Sequence, residues 1–178
     1  MRYRRAWMPG GTFFFTVNLA NHESDLLVRK VGELRHAFRN VQSKHPFHIN
    51  AIVILPDHLH AIFTLPDNDR NYSVRWALIK AAFSRALPKS EGISASRASK
   101  GERGIWQRRF WEHQIRNDDD MQRHVDYIHW NPVKHGYAER AVDWQHSSIH
   151  RYIRYGLLAS DWGCESEFDS NPFGERQR

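Results

Sequence analysis

A lone cysteine, Cys164, excludes an internal disulfide and any cysteine-rich zinc site, and points to a reducing, cytoplasmic setting. Long apolar runs are missing too. The longest clear one is AIVIL at 51–55, far short of the roughly twenty residues that cross a bilayer, so no membrane partner is expected. MRYRR ahead of TFFFTVNLA has the order of a secretory signal, but Pro9, Gly10 and Gly11 separate charge from apolar stretch and Asn18 interrupts it. The segment reads as a basic arm entering a strand. Internal repeats are absent, so repeat architectures are set aside.

What the chain does have is a core and an excess of positive charge. Its 178 residues are 40% hydrophobic and 13% aromatic, enough for one packed domain. Lysine and arginine outnumber aspartate and glutamate by 26 to 20, with a sequence pI near 9.7, which favours an anionic partner such as nucleic acid. The sign is uneven along the chain. Residues 159–178 hold five acids and two arginines, a net −3 that leaves +9 on the remainder of the formal +6. The expected organisation is a domain over 1–158 and an acidic tail over 159–178.

Pro9-Gly10-Gly11 is a turn signal, and Thr12 to Leu19 is aromatic and β-branched enough for a first strand. Leu27, Val31, Leu34, Phe38 and Val41 form one apolar helical stripe, with Ser24 or Asp25 as N-cap. His48 to Leu55 reads as a central strand, Pro56-Asp57 as a tight turn, and His58 to Leu65 as the hairpin partner. Asn71 to Leu87 reads as a helix with Val74, Ala77, Leu78, Ala81 and Ala82 on one face and Arg75, Lys80 and Arg85 on a basic exposed side. Residues 88–104 have no periodicity and read as a flexible basic loop. A fourth strand over 110–116 precedes a third helix over about 118–130, started by Asn117 and three aspartates and stopped before Pro132, which puts Tyr127 in its last turn, near a mobile helix end. The order β, α, β, β, α, β, α predicts an α+β fold: a ferredoxin-like (RRM-like) antiparallel sheet with helices on one face plus an additional C-terminal catalytic helix.

His58 and His60, one residue apart on a strand, point both imidazoles to one face while Leu59, Ala61 and Phe63 face the core. Two imidazoles plus a side-chain carbonyl oxygen would hold a divalent metal and leave positions for a phosphate oxygen and water. Asn131 is the candidate third ligand. It lies four residues after Tyr127, on the same side of a helix. A phenol, with a pKa of about 10, attacks a phosphodiester at neutral pH only where the target is polarised and the phenolate stabilised. Each residue also has an ordinary use: His-x-His as a solvated pair, tyrosine as core, Asn before Pro as a cap or turn. Spacing alone leaves these open.

Four blocks taken together, YRRAWMPGGTFFFTVNL, LPDHLHAIFTLP, WQRRFWEHQIRNDDD and YIHWNPVKHGY, resemble the REP-associated tyrosine transposases, relatives of the single-tyrosine insertion-sequence transposases with the His-hydrophobic-His endonuclease fold. The likeness covers about residues 3 to 155. It implies a single-stranded DNA endonuclease and strand-transferase acting on palindromic hairpin DNA, with Tyr127 as nucleophile forming a 5′-phosphotyrosine and His58, His60 and Asn131 as metal ligands. Mixed nitrogen and oxygen donors fit Mg²⁺ or Mn²⁺, and two imidazoles also admit Zn²⁺ or Ni²⁺. His48, His113, His124 and His129 are extra histidines to which the resemblance gives no role.

Candidates for DNA contact are Arg4 and Arg5 on the arm, Arg108 and Arg109 beside Trp106, and Lys134 after the tyrosine helix, because arginine and aromatic neighbours can hold phosphate while stacking unpaired bases. Phe110 and Trp111 are assigned to the core. The protein is expected as a monomer or homodimer. Two rival readings are a non-catalytic palindrome-binding regulator and an RNA-binding ferredoxin-like module, the latter lacking its aromatic strand signature here.

Overall fold

The computed structural model describes residues 9–89 and 95–163; the N-terminal Arg4 and Arg5, Cys164 and most of the acidic tail lie outside them. Strand β1 (Thr12–Asn18), helices α1 (Leu26–Arg29) and α2 (Val31–Lys44), strands β2 (His48–Ile54) and β3 (His58–Thr64), helices α3 (Tyr72–Ala86) and α4 (Ala95–Ala98), strand β4 (Trp111–Gln114), helix α5 (Asp118–Lys134) and helix α6 (Ile149–Arg154) follow in that order. All strand pairs are antiparallel and the sheet order is β2-β3-β1-β4, the ferredoxin-like arrangement.

Strand alternation sends Phe13, Phe15 and Val17 of β1 and Leu59, Ala61 and Phe63 of β3 to one face, where α2 and α3 close the larger core. Phe14 and Ile62 go to the other face with Val125, Tyr127 and Ile128 of α5. The additional helix therefore covers the face opposite to the other two. Both central strands are buried almost throughout because each has a layer above and below. Aromatic rings knit the larger core, with Phe63 stacked on Trp76 at 4.8 Å and edge-on to Phe38 at 6.2 Å.

Several sequence expectations change. β2 is an edge strand, and its outer side is capped by the chain at 146–152: Ile54 N–H donates to His146 O at 2.8 Å and Ser148 N–H to Ile52 O at 2.8 Å. A bulge at Asn50 shifts its register. The first helix breaks at Lys30 into α1 and α2, while Leu27, Leu34, Phe38 and Val41 are buried as expected.

The buried stripe of α3 is Tyr72, Arg75, Trp76, Ile79 and Phe83, not the alanine-rich face; Val74 is 44% exposed. The rings of Tyr72, Trp76 and Phe83 at i, i+4 and i+11, with Ile79 at i+7, bury more apolar area than alanines, and that area decides the orientation. Arg75 is thereby turned inward and donates to Pro46 O and Asp69 Oδ2, both at 2.6 Å. Lys80 donates to Gln107 O at 3.0 Å between Trp106 and Phe110, so two of the three cations expected on the exposed side serve the interior. The basic loop carries structure of its own in its described part. It contains α4, and Arg103 donates to the carbonyls of Ser84, Leu87 and Pro88 at the end of α3.

Helix α5 starts as expected, with Asn117 Oδ1 accepting from Asp120 N–H at 2.8 Å and Asp118, Asp119 and Asp120 in the first turn. It does not stop at Asn131. Pro132 lies inside it, and the bonds His135 N–H to Asn131 O, Gly136 N–H to Val133 O and Tyr137 N–H to Pro132 O, with Gly136 at φ +71°, close a Schellman end one turn further on. Tyr127 accordingly sits two turns inside the helix, 5% exposed, rather than at a mobile end.

Candidate active site

His58 and His60 enter the site because β3 is a period-two strand whose alternate residues face α5. Their ring centroids are 5.0 Å apart, and His60 lies 5.3 Å from the ring of Tyr127. Phe14 of β1, which pairs with Ile62 and so lies diagonal to His60, stacks on His60 at 5.5 Å and meets Tyr127 edge-on at 6.0 Å. The sequence-derived pair and tyrosine are thus brought together beneath one helix. Asn131, one turn after Tyr127, is fully buried.

Each imidazole is fixed through Nδ1. His58 Nδ1–H donates to Asp57 Oδ1 at 2.7 Å, and His60 Nδ1 shares a 2.9 Å hydrogen bond with the Thr16 hydroxyl. The arrangement presents Nε2 as the ligating nitrogen of both rings. Two buried imidazoles so oriented, with the buried amide of Asn131 on the facing helix, are a donor set that fits a divalent cation.

Asp57, read from sequence only as a turn residue, has a second role. His22 Nδ1–H donates to its other oxygen at 3.0 Å, and Gln107 Nε2–H donates to His22 Nε2 at 2.9 Å, giving a chain Gln107–His22–Asp57–His58. Burial pushes the Asp57 carboxyl up, but hydrogen bonding and positive charge from His58, with His22 behind it, outweigh this and hold it below the usual carboxylate range. Its place directly before His58 was the available signal. Thr16 and His22 were visible only once the strands were in register. His135, in the YIHWNPVKHG block, also reaches the site, its ring 5.2 Å from His58.

A second group lies beyond Phe14, whose ring is 4.8 Å from His124. His113, Asp120 and His124 bring donor atoms within 4.8 Å of one another and could hold a metal ion. His113 Nε2–H donates to Asp120 Oδ2 at 2.8 Å, Arg116 N–H donates to the same oxygen at 3.1 Å, and the two imidazoles stack at 4.7 Å. Of the other unassigned histidines, His48 is exposed at the start of β2, and His129 is buried against Ser148 and Tyr152, with burial the main force holding its pKa down near 3.

The candidate DNA contacts separate. Arg108 and Arg109 are exposed just before β4, with Arg108 paired to Glu102 at 2.8 Å. Trp106 is 8% exposed and packs edge-on against Phe83, so it is no base platform beside them. Lys134 reaches the tyrosine instead: its Nζ donates to Tyr127 Oη at 3.0 Å and lies 4.6 Å from the ring centroid. No described helix is long and apolar enough to cross a membrane. Trp162, at the start of the supposed tail, meets His129 edge-on at 5.9 Å.

The antiparallel sheet thus has the ferredoxin-like order expected from the element order, and it sets the paired strand histidines against a helical tyrosine. No family model matches the chain. A Haemophilus influenzae protein is 46% identical over 162 residues, 90% of this chain and 92% of its own length, and an Escherichia coli K12 protein is 46% identical over 175 residues, 98% and 96%; both are named as REP-associated tyrosine transposases. The solved structure of a REP-associated tyrosine transposase bound to a REP hairpin superposes with a TM-score of 0.87 at 44% identity, covering 100% of this chain and 99% of that one. The chain belongs to the REP-associated tyrosine transposases and is a transposase enzyme.

Proposed function

We propose that the protein is a metal-dependent single-stranded DNA endonuclease and strand-transferase that acts on palindromic hairpin DNA through a covalent 5′-phosphotyrosine at Tyr127. The observation that carries this reading is the 5.3 Å approach of the His60 and Tyr127 rings on one face of the sheet. It is supported by the relative solved with a REP hairpin, the substrate class assigned here.

In the proposed reaction the Tyr127 oxygen bonds to phosphorus, and the bond from phosphorus to the 3′-oxygen breaks. That oxygen leaves with the electron pair and ends as a hydroxyl, so one proton passes overall from phenol to the new 3′ end. The phosphotyrosine ester retains the bond for rejoining without ATP, which suits transfer better than hydrolysis. His58, His60 and Asn131 would hold Mg²⁺ or Mn²⁺, which supplies charge neutralisation and orientation at the phosphate. His113, Asp120 and His124 are assigned to structure: the carboxylate tethers the start of α5 to β4 through His113 and to the turn through Arg116 N–H.

Arg108 and Arg109, with Arg4 and Arg5 of the arm, are assigned to the DNA backbone. Residues 159–178 are assigned as an acidic tail to the 1–158 domain, and the enzyme to the cytoplasm.

The test is incubation of protein with a labelled hairpin and Mn²⁺. A covalent adduct that disappears in Tyr127→Phe is the expected result. Tight hairpin binding without any adduct would instead favour a palindrome-binding regulator.

A further inference from the structure

We propose that Lys134 is a catalytic residue that neutralises the charge developing on the Tyr127 oxygen, rather than a phosphate grip on the DNA. The inference rests on the reading of Tyr127 as nucleophile and goes beyond it by naming the group that makes the phenolic oxygen competent.

Lys134 lies seven residues after Tyr127, two helical turns along the same face of α5, with Asn131 between them. Helical side chains lean toward the N-terminus, so the long lysine stem runs back along the helix to the tyrosine. Its ammonium is 3.0 Å from Oη and 4.6 Å from the ring centroid, so one cation touches both the reacting atom and the ring that carries it. The turn that carries Lys134 exists only because α5 continues through Pro132 to its Schellman end; a helix stopped at Asn131 would not put residue 134 on this face.

As the oxygen–phosphorus bond forms, negative charge passes from Oη to the phosphate oxygens and the departing 3′-oxygen, and in rejoining it returns to Oη. A half-buried cation held 3.0 Å from Oη, on a tyrosine that is 5% exposed, acts at both ends of that path. A residue that grips remote DNA phosphates would do neither.

Single-turnover adduct formation and hairpin affinity, measured on the full chain with Mn²⁺, separate the two roles. Lys134→Met and Lys134→Gln are expected to slow adduct formation at saturating hairpin by about 10²- to 10³-fold, the range for removing one preorganised oxyanion donor. Rejoining should slow similarly, the hairpin Kd should stay within about threefold, and Lys134→Arg should recover part of the rate. A wild-type rate at saturation with a weakened Kd and a salt slope reduced by about one would make Lys134 a phosphate contact and overturn the proposal. Equal loss of rate and binding in both variants, with lowered melting temperature and no rescue by arginine, would overturn it in favour of a structural role. Tyr127→Phe run alongside isolates the underlying reading: an adduct surviving there removes the nucleophile assignment itself, whereas loss there with full activity in Lys134→Met removes only the lysine.

Discussion

Asp57 and His58 are neighbours in sequence whose side chains bond to each other, carboxylate to Nδ1–H at 2.7 Å. The bond fixes the ring's tautomer as well as its angle, and the carboxylate raises the basicity of Nε2. Asp57→Asn is therefore expected to weaken Mn²⁺ binding by about 10- to 100-fold, read by calorimetric titration of the folded protein. His22→Ala, one bond further out at 3.0 Å, should cost less. Equal affinity in wild type and Asp57→Asn would remove Asp57 from the metal site.

The two histidine groups make opposite predictions. Replacing His58 and His60 with alanine should abolish metal binding and adduct formation while leaving much of the hairpin affinity, because phosphate contacts supply most of it. Replacing His113 and His124 should leave Mn²⁺ affinity near wild type and lower the melting temperature, since the Asp120 carboxylate loses the donor at 2.8 Å and the stacked ring pair. Metal affinity that follows His113 and His124 instead would move the ion to that group.

The fold class and the shared face of the two candidate histidines were legible because the rules involved are local. Period-two alternation put His58 and His60 on one face and Leu59, Ala61 and Phe63 on the other, and the element order gave the antiparallel ferredoxin-like class, though not the edge position of β2. What escaped depended on tertiary competition. Arg75 and Lys80 are polar by type, yet the rings of Tyr72, Trp76 and Phe83 set the rotation of α3 and carried them inward. Pro132 biases against helix at Asn131, but the bonds downstream of it outweigh a bias confined to one residue. Thr16 could not be matched to His60 before the register of β1 on β3 was known.

Exposed cations should show themselves in salt. Log Kd for a hairpin is expected to rise steeply and linearly with log salt, with Arg108→Ala and Arg109→Ala each lowering the slope by about one, measured by fluorescence anisotropy. Arg75→Ala should leave the slope unchanged, since its guanidinium is spent on Pro46 O and Asp69. A flat salt response would take the DNA face off the basic body.

Lys80 offers a stability test away from the chemistry. Burial lowers its pKa to about 8, with Gln107 O at 3.0 Å as acceptor. In the unfolded chain a lysine titrates near 10.4, so between about 8 and about 10.4 the unfolded state binds the extra proton and stability rises with pH, by up to about 1.4 kcal/mol per unit. Below about 8 both states are protonated and the cost of the buried charge is constant. The difference in unfolding free energy between wild type and Lys80→Met should accordingly be flat from pH 6 to about 7.5 and then shift in favour of wild type up to about pH 10, as followed by urea denaturation. Other lysines and tyrosines titrate alike in both proteins and cancel in the difference. A difference independent of pH across that window would mean that the ammonium of Lys80 remains charged and well solvated in the folded protein.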